Sequence, residues 1–469
     1  MERSFALTID GQQVSAADSF DVLDPALGTA FAAAPAASRQ QLDDAVAAAR
    51  RAFPGWAART QQERQAAVNA MADIIEAHAG DLAALVTREQ GKPLGGLGSN
   101  WEIGAAIAWA RHTATLALPV EVIQADETAN VTLHHRPIGV VGSITPWNFP
   151  IMIAIWHMMP AILAGNTVVL KPSPKTPLAT LWLGELLQKA LPPGVLNVLS
   201  ARDEIGQAMA EHEGIDKIIF TGSTATGRKV MASGARNLKR LTLELGGNDA
   251  GIVLPDADVD ANIDKLFWGI FINNGQTCAA LKRLYVHDSI YEDVCQKLVR
   301  YAANIVTGNG LEATSHLGPI QNPMQFERVK GLVDRARQEG ARVLCGGEPM
   351  AGPGLFYPVT IVADATEGMA LVDEEQFGPA IPVIRYHDVE DVITRANASE
   401  NGLGGSIWSR DVDAARRLAA RLECGSVWVN NHGAIRPDAP FGGVKQSGIG
   451  VEFAALGLAE CTTVQVIHA

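Results

Sequence analysis

The 469-residue sequence lacks the features of a secreted, disulfide-bonded or membrane-spanning protein. Its first residues, MERSFALTIDGQQ, contain no apolar core of a secretory signal. The longest apolar stretch, 151–170, is interrupted by His157, Pro160 and Asn166, and falls short of the roughly 20 apolar residues that a membrane helix needs. We therefore expect a cytoplasmic protein with no membrane partner.

Cysteine is scarce. The five cysteines are odd in number and no two form a CxxC pair; they stand at 278, 295, 345, 424 and 461. This spacing predicts neither a disulfide framework nor a cysteine-rich zinc site, and we expect reduced thiols and no bound metal.

Positive charge is also in short supply. Lys and Arg number 38 against 51 Asp and Glu, a formal net charge of −13, which disfavours broad binding to nucleic acid, although a local basic patch stays open. The apolar fraction of 47% excludes an intrinsically disordered chain. The length suggests two to four domains at roughly 150 residues each.

The N-terminal part has a helical pattern. Ser38 with Gln41, and Thr60 with Glu63, match the capping box, in which two side chains satisfy backbone N–H groups at a helix start. Alanine-rich periodic segments follow at 42–53 and 66–89. Gly91 and Pro93 are expected to end the second.

From residue 138 onward, short apolar runs alternate with helical patterns, which predicts a doubly wound α/β domain that binds ligands at the carboxyl ends of its strands. A second series of apolar runs predicts a second α/β domain. The first series is 138–144, 166–171, 194–200, 216–222 and 240–245, and the second is 250–254, 283–287, 380–387, 404–409 and 425–431.

Two further segments, 119–136 and 462–468, alternate like exposed strands. Unpaired strands favour aggregation, and pairing across subunits would cover both segments. We therefore expect an oligomer.

Three residues carry candidate chemistry. Cys278 follows NNGQT, where Gly275 allows a loop that exposes a nucleophilic thiol. Glu244 ends an apolar strand, where its raised pKa suits a general base, and Asn148 lies in TPWNFP as a candidate oxyanion donor. Taken singly, each has a structural alternative: a buried cysteine, a solvated carboxylate and an asparagine in a proline-rich turn.

Two other segments are candidates for ligand binding. Lys171 ends a predicted strand, where it could meet a ribose or a phosphate or simply be solvated. FTGSTATG at 220–227 follows a strand and opens a helix, whose N-terminal N–H groups can hold an anion.

Together these motifs resemble the NAD(P)-dependent, non-phosphorylating aldehyde dehydrogenase superfamily, and the resemblance covers nearly the whole chain. The motifs stand in the family's order: TPWNFP at 145–150, KPS at 171–173, FTGST at 220–224, ELGG at 244–247, GQTC at 275–278, EEQFGP at 374–379 and PFGGVKQSG at 440–448.

The resemblance implies a role for each matching residue. Cys278 would attack the aldehyde and become a thioester, the amide of Asn148 and the backbone N–H of Cys278 would hold the oxyanion, and Glu244 would activate the hydrolytic water. For the cofactor, Glu375 and Phe377 match the nicotinamide-ribose contact. Trp147, Gly222 and Ser223 match the pyrophosphate region, and Lys171, with Ser173 in the same motif, matches the adenosine-ribose contact.

By position, the resemblance also predicts an apolar and partly aromatic aldehyde tunnel, which favours a medium aliphatic or aromatic substrate. Its predicted lining is Phe149, Ile153, Trp156, Phe271, Ile272, Thr277, Ile435 and Phe441. Arg436 stands beside this lining, and the alternative is that it binds the carboxylate of a semialdehyde.

One departure concerns the cofactor. Many NAD-preferring relatives have an acidic residue where this chain has Pro174, followed by Lys175. An acid there would bind the ribose hydroxyls and repel a 2′-phosphate. We expect NAD, with NADP possible.

Two other functions compete. A coenzyme-A-acylating dehydrogenase is disfavoured because such relatives typically lack the base at Glu244. A family member that serves only a structural or binding role is disfavoured because Cys278, Asn148 and Glu244 are all present.

The family fold implies a Rossmann-type cofactor domain, an α/β catalytic domain and an oligomerisation β-arm in a homodimer or homotetramer. The expected boundaries are 1–118 and 138–246 for the cofactor domain, 247–445 for the catalytic domain, and 119–137 and 446–469 for the arm.

Overall fold

Two largely parallel sheets, each covered by helices, and a small antiparallel arm form the framework of residues 3–469, the part of the chain that this computed structural model describes. Helices precede, separate and cover the strands. They are α1 (Arg39–Ala57), α2 (Gln61–Ala77), α3 (Ala79–Gln90), α4 (Ser99–Thr115), α5 (Pro150–Leu163), α6 (Leu178–Leu187), α7 (Asp203–Glu211), α8 (Thr224–Gly234), α9 (Val259–Phe271), α10 (Tyr291–Ala302), α11 (Pro323–Gln338), α12 (Ala370–Asp373), α13 (Val389–Asn397), α14 (Val412–Ala419) and α15 (Ala454–Ala459).

The strands, in chain order, are β1 (Leu7–Ile9), β2 (Gln12–Val14), β3 (Asp18–Asp24), β4 (Thr29–Ala36), β5 (Glu121–Ala125), β6 (Asn130–Pro137), β7 (Val140–Ile144), β8 (Thr167–Lys171), β9 (Leu196–Val198), β10 (Lys217–Thr221), β11 (Arg240–Glu244), β12 (Asp249–Val253), β13 (Leu281–His287), β14 (Arg342–Cys345), β15 (Thr360–Ala365), β16 (Ala380–Tyr386), β17 (Asn401–Gly402), β18 (Gly404–Trp408), β19 (Ser426–Val429), β20 (Val444–Lys445), β21 (Gly448–Ile449) and β22 (Thr462–His468).

The first sheet has the strand order β2-β1-β9-β8-β7-β10-β11-β21. Its five central strands are parallel, and their chain order across the sheet is the third, second, first, fourth and fifth, which is the doubly wound order. The order reverses between β7 and β10, and ligands of such sheets bind beyond the carboxyl ends at this crevice. The loops that begin at Thr145 and Gly222 meet there.

The second sheet has the order β14-β15-β16-β13-β12-β18-β19 and is parallel except for β14 at one edge. Both series of predicted strands are confirmed, because near-continuous apolar runs suit strands that are covered on both faces. The α/β fold class is thereby confirmed, whereas the residue boundaries of the domains stay predictions.

The N-terminal helices form as the capping pattern predicts. The Ser38 side chain accepts from Gln41 N and the Gln41 side chain accepts from Ser38 N, and Thr60 and Glu63 form the second box in the same way. Gly91 ends α3 in the left-handed conformation with φ +98°. The predicted continuous helix over 66–89 is wrong, since the chain breaks at His78 between α2 and α3.

The arm is a three-stranded sheet of order β22-β6-β5. The tail strand β22 pairs antiparallel with β6 of the same chain over its whole length, from Thr462 opposite Pro137 to His468 opposite Val131. The observed partner of the tail strand is therefore β6 of its own chain, and the other side of β22 forms an outer edge of the arm. Between residue 446 and the arm, the chain first forms β21, which joins the first sheet beside β11.

None of the helices in residues 3–469 combines the length and the apolar character that crossing a membrane requires.

Candidate active site

Cys278 lies in a short loop between the 3₁₀ turn Ile272–Gly275 and β13, and it is half-buried. Asn273, Asn274 and Gly275 precede this loop with φ values of +51°, +59° and +70°, a run of left-handed residues. A Cβ atom on Gly275 would lie 2.2 Å from the Gly378 carbonyl oxygen, so only glycine fits. This sharp turn places the thiol at the end of α9 rather than in the helix.

Asn148 follows β7 and is almost fully buried, with 2% of its surface exposed. Its side-chain amide donates to the Gln276 carbonyl over 3.1 Å, which leaves its second N–H for another acceptor. Its backbone carbonyl accepts from Lys92 Nζ at 2.7 Å and from Asn273 Nδ2 at 3.0 Å. The amide is thus held beside the loop that carries Cys278.

Glu244 ends β11, and its carboxyl group lies close enough to the Cys278 thiol for each to change the pKa of the other. Burial raises the pKa of the Glu244 carboxyl well above its usual range, and the nearby Glu452 carboxylate raises it further. Burial also raises the pKa of the Cys278 thiol, with Glu244 adding to the effect. The thiol, the carboxyl and the Asn148 amide therefore form a group that can pass a proton and stabilise an oxyanion.

Glu452 itself is buried beside His157, whose Nε2 lies 3.3 Å from Glu452 Oε1. The two nitrogens of His157 also contact Ser143 Oγ and Thr221 Oγ1, both at 2.9 Å. This second carboxyl lies near the catalytic candidate Glu244, although the two residues are 208 positions apart in the sequence.

Glu375 and Phe377 lie in the loop between α12 and β16. Glu375 Oε1 accepts from Gly247 N at 3.1 Å and lies 3.1 Å from Lys282 Nζ. Phe377 packs edge to face against Trp147, with ring centroids 5.4 Å apart. The residues that the sequence assigns to the nicotinamide ribose thus come together.

Lys171 ends β8 and Ser223 caps α8, both at the carboxyl edge of the first sheet. Burial lowers the pKa of the Lys171 ammonium to about 8, and its Nζ donates to the Pro172 carbonyl over 3.3 Å. Ser173 Oγ accepts from Lys175 N at 3.3 Å in the same turn. Gly222 precedes Ser223 and its N–H donates to the Glu244 carbonyl over 3.0 Å, which links this turn to the end of β11.

Most of the predicted tunnel residues join a single apolar cluster. Phe149, Ile153, Trp156 and Phe441 are buried within it, and Ile435 and the Cys278 side chain pack against it. Ile272 and Thr277 are half-buried at its side of the loop, with Thr277 Oγ1 donating to the Ile272 carbonyl over 3.3 Å.

The position of Phe271 differs from its predicted place in the lining of the aldehyde tunnel. It is fully buried in the core of the second sheet, where its ring packs 4.7 Å from that of Phe267. The last turn of α9 directs this side chain away from the cluster that contains Phe149, so its apolar character serves the core.

Arg436 is exposed and pairs with Asp438 through two short contacts, Nε to Oδ1 at 2.8 Å and Nη2 to Oδ2 at 2.6 Å. The guanidinium fork is therefore engaged at two nitrogens by a carboxylate of the same loop.

Several site residues were not predicted, namely Lys92, Lys282, Glu452, Trp109 and Phe453. The first two carry buried ammonium groups that contact Asn148 and Cys278. Lys282 follows the thiol by four residues, and this proximity was its available signal. Trp109 and Phe453 extend the aromatic cluster, with Phe453 4.8 Å from Trp156 between ring centroids.

Comparison with known proteins gives a consistent result. The sequence model described as the aldehyde dehydrogenase family matches residues 13–467. The chain is 38% identical to aldehyde dehydrogenase LUC3 of Fusarium sp, over 97% of this chain and 96% of that protein. It is 39% identical to phenylacetaldehyde dehydrogenase of Pseudomonas fluorescens, over 97% and 94%. The structure of Bacillus cereus aldehyde dehydrogenase in complex with NAD+ superimposes with a TM-score of 0.97 at 37% identity, covering 100% of this chain and 96% of that one.

Proposed function

The chain belongs to the aldehyde dehydrogenase family, and from this premise we propose that it oxidises apolar aldehydes to free carboxylic acids, with Cys278 as nucleophile and Glu244 as base. The observation that carries the proposal is the placement of the buried Glu244 carboxyl close to the Cys278 thiol, with the Asn148 amide held beside their loop.

In the first step the Cys278 sulfur adds to the aldehyde carbon while the thiol proton passes to Glu244. The carbonyl oxygen becomes an oxyanion, which the free N–H of Asn148 and the backbone N–H of Cys278 stabilise. When bound, a nicotinamide dinucleotide supplies the hydride acceptor that converts this adduct into a thioester.

Before the second step Glu244 releases the thiol proton to solvent and is again a carboxylate. It then removes a proton from water, whose oxygen adds to the thioester carbon. The carbon–sulfur bond then breaks, and the acid leaves with the Cys278 sulfur restored. Because Glu244 is present for this step, hydrolysis is favoured over transfer to coenzyme A.

The residues present fit a dinucleotide at the first sheet. The ammonium of Lys171 is buried at the strand edge with a carbonyl as its acceptor. A Cβ atom on Gly246 would lie 2.5 Å from Glu375 Oε2, so a glycine there leaves the carboxylate room. Lys171 and Ser173 would hold the adenosine ribose, Gly222, Ser223 and Trp147 the pyrophosphate, and Glu375 and Phe377 the nicotinamide ribose.

NAD is the proposed cofactor, with NADP accepted less well. Pro174 supplies no carboxylate for the ribose hydroxyls, but the first turn of α7 brings Asp203 and Glu204 close enough to act electrostatically on Lys171. Their negative charge disfavours a 2′-phosphate. The NAD+ complex of the similar Bacillus cereus enzyme supports the same choice.

The substrate is proposed to be a medium aliphatic or aromatic aldehyde. Rings of Trp109, Trp156, Phe441 and Phe453 pack together at centroid distances between 4.8 and 6.1 Å. The pairing of Arg436 with Asp438 disfavours the semialdehyde alternative, since binding a substrate carboxylate would require breaking this pair. The similar phenylacetaldehyde dehydrogenase supports an aromatic substrate.

The arm supports a homo-oligomer, as a dimer or a tetramer. Several apolar side chains of β5 and β22 are exposed in the single chain, including Val122 at 64% and Val464 at 64%. Exposed apolar side chains gathered on one small sheet are typical of an interface.

The test is to incubate the protein with NAD or NADP and a panel of short aliphatic, medium aliphatic, aromatic and carboxylated aldehydes, while following the reduced cofactor. We expect medium and aromatic aldehydes to exceed short carboxylated ones at least about tenfold in kcat/KM. Cys278→Ala should lose activity by about 10³-fold or more and retain cofactor binding.

Cys345→Ala is the matched control, because Cys345 is also half-buried and lies on β14. Full activity of Cys278→Ala would overturn the assignment. Formation of acid that requires added coenzyme A would favour the acylating alternative.

A further inference from the structure

Lys282, the second residue of β13, is a buried lysine that takes no part in the steps proposed above; 3% of its surface is exposed. Its Nζ donates to the backbone carbonyl of Cys278 and lies 3.1 Å from Glu375 Oε1. The same carboxylate oxygen accepts from Gly247 N. A single ammonium group therefore touches the peptide of the nucleophile and the carboxylate proposed to hold the nicotinamide ribose.

A lysine is rarely buried this deeply without a compensating partner, because desolvation disfavours its charge. Here the compensation comes from Glu375 and from the Cys278 carbonyl, and the Phe377 ring lies 5.9 Å away. The backbone of Lys282 is held as well, since its carbonyl accepts from Gln376 Nε2 at 3.2 Å. Both the ammonium group and the backbone of Lys282 are therefore held by neighbouring residues.

Three ionisable groups act on the Cys278 thiol, namely the carboxyl groups of Glu244 and Glu375 and the ammonium group of Lys282. The two carboxylates raise the pKa of the thiol and Lys282 lowers it. Glu452 adds a further negative charge that acts on Glu244. Formation of the thiolate in these surroundings therefore depends on the ammonium of Lys282.

We propose that Lys282 is a positioning residue for the reaction: its buried ammonium joins the peptide of Cys278 to the carboxylate of Glu375, and so sets the nucleophile and the cofactor-side carboxylate relative to each other while supporting the thiolate. The proposal rests on the proposed function for the identity of the reaction. The contacts of Lys282, however, are those of the enzyme before any cofactor or aldehyde binds.

The experiment measures the rate of alkylation of Cys278 by iodoacetamide as a function of pH, in the enzyme without cofactor, with the modified residue identified by mass spectrometry. Lys282→Met removes the positive charge at similar volume. We expect its alkylation rate near neutral pH to fall about tenfold, which corresponds to a rise of about one unit in the thiol pKa. Lys282→Arg keeps the charge and should restore most of the rate.

Glu375→Gln tests the same electrostatics with the opposite sign. Removal of this negative charge leaves Lys282 facing the thiol without its partner, so alkylation should become faster than in the unsubstituted enzyme. A general loss of packing would instead move both variants in the same direction. This second variant also keeps the proposal testable if Lys282→Met does not fold.

Lys330→Met is the matched control, because Lys330 lies on α11 and pairs with Asp334 at 2.8 Å far along the chain from the thiol. It should leave the alkylation profile unchanged. An unchanged profile in folded Lys282→Met, or slower alkylation in Glu375→Gln, would overturn the proposal.

Binding of NAD, followed by fluorescence titration, gives the second readout. Lys282→Met should weaken binding several-fold because Glu375 loses its anchor, and unchanged NAD affinity would count against the link to Glu375. A protein that oxidises no aldehyde but shows the expected alkylation shifts would refute the proposed function and leave the role of Lys282 intact.

Discussion

At the scale of single residues, the proposed chemistry depends on the carboxyl group of Glu244, whose pKa is set by its surroundings. Glu244 lies in a buried site beside another carboxylate, and both effects raise its pKa because they disfavour the charged form. Below the raised pKa the group is protonated and cannot act as a base. Hydrolysis of the thioester is therefore expected to accelerate as pH rises through this pKa.

Glu244→Gln tests this residue directly. The amide cannot accept a proton from the thiol or from water, so the first turnover should slow and steady turnover should fall about 10²- to 10⁴-fold. Steady turnover should also lose the rise with pH that the unsubstituted enzyme shows. Rapid-mixing absorbance measurements with an aromatic aldehyde give both quantities.

Glu390→Gln is the control, since Glu390 is exposed and pairs with Arg421 away from the thiol. It should behave like the unsubstituted protein. Steady turnover of Glu244→Gln at the original rate would assign the base to another group, with Glu452 the nearest buried carboxyl.

At the scale of secondary-structure elements, the position of the thiol is decided by how α9 ends. Three consecutive left-handed residues reverse the chain between the helix and the Cys278 loop. Two of these are asparagines, which tolerate this conformation better than most residues, and the third is glycine. The third position also packs directly against the backbone at Gly378.

Gly275→Ala should therefore damage both stability and activity. A left-handed alanine costs about 1–2 kcal/mol, and the overlap with the Gly378 carbonyl adds to this. We expect a lower free energy of unfolding in urea and a large loss of kcat.

Gly331→Ala provides the contrast, because Gly331 lies within α11 and a Cβ atom there would have no other atom within 4 Å beyond its own helix backbone and chain neighbours. It should raise the free energy of unfolding by roughly 0.5–1 kcal/mol. Equal stability of the two alanine variants would contradict the steric explanation of the turn.

The elements also show where local patterns mislead. The strands β3 and β4 form a two-stranded antiparallel hairpin, although the sequence of β4, TAFAAAPA, is rich in alanine and belongs to a part of the chain whose pattern predicts mainly helices. Alanine has the highest intrinsic helix propensity, but tertiary context can override propensity, and here pairing with the neighbouring strand outweighs it. Conversely, buried parallel strands such as β8 and β10 agree with the prediction because every one of their residues is apolar or enclosed.

At the scale of the whole molecule, the arm leaves apolar surface that a single chain does not cover. The central strand β6 is paired on both sides, but β5 and β22 remain edges with exposed valines and isoleucines. An exposed apolar edge strand is a surface on which another chain can pair or pack. The two valines of β22, Val464 and Val466, are two residues apart and so share one face of the strand.

Val464→Asp combined with Val466→Asp should shift the protein to a smaller assembly, measured by light scattering coupled to size exclusion. Burying two carboxylates in an apolar interface is strongly unfavourable. Met324→Asp, at a residue that is 72% exposed on α11, is the control and should leave the assembly unchanged. A double variant with the original mass would place the interface elsewhere.

Local sequence patterns were enough to predict most of the elements and to nominate the candidate reacting groups. Capping boxes, apolar runs and glycine turns act over a few residues, so they specify α1, the ten predicted strands and the loop of Cys278 without reference to distant parts of the chain. The motifs likewise identified Asn148, Glu244 and Glu375 one by one.

The tertiary structure alone decided which distant groups meet. It joined Lys282 to Glu375 and Glu452 to Glu244, turned Phe271 into the core, and paired β22 with β6 of its own chain. These contacts depend on how two sheets and their helices pack, and a one-residue change of strand register would reverse the side chain's face. Local sequence patterns do not specify that packing, because the partners are separated by tens to hundreds of residues.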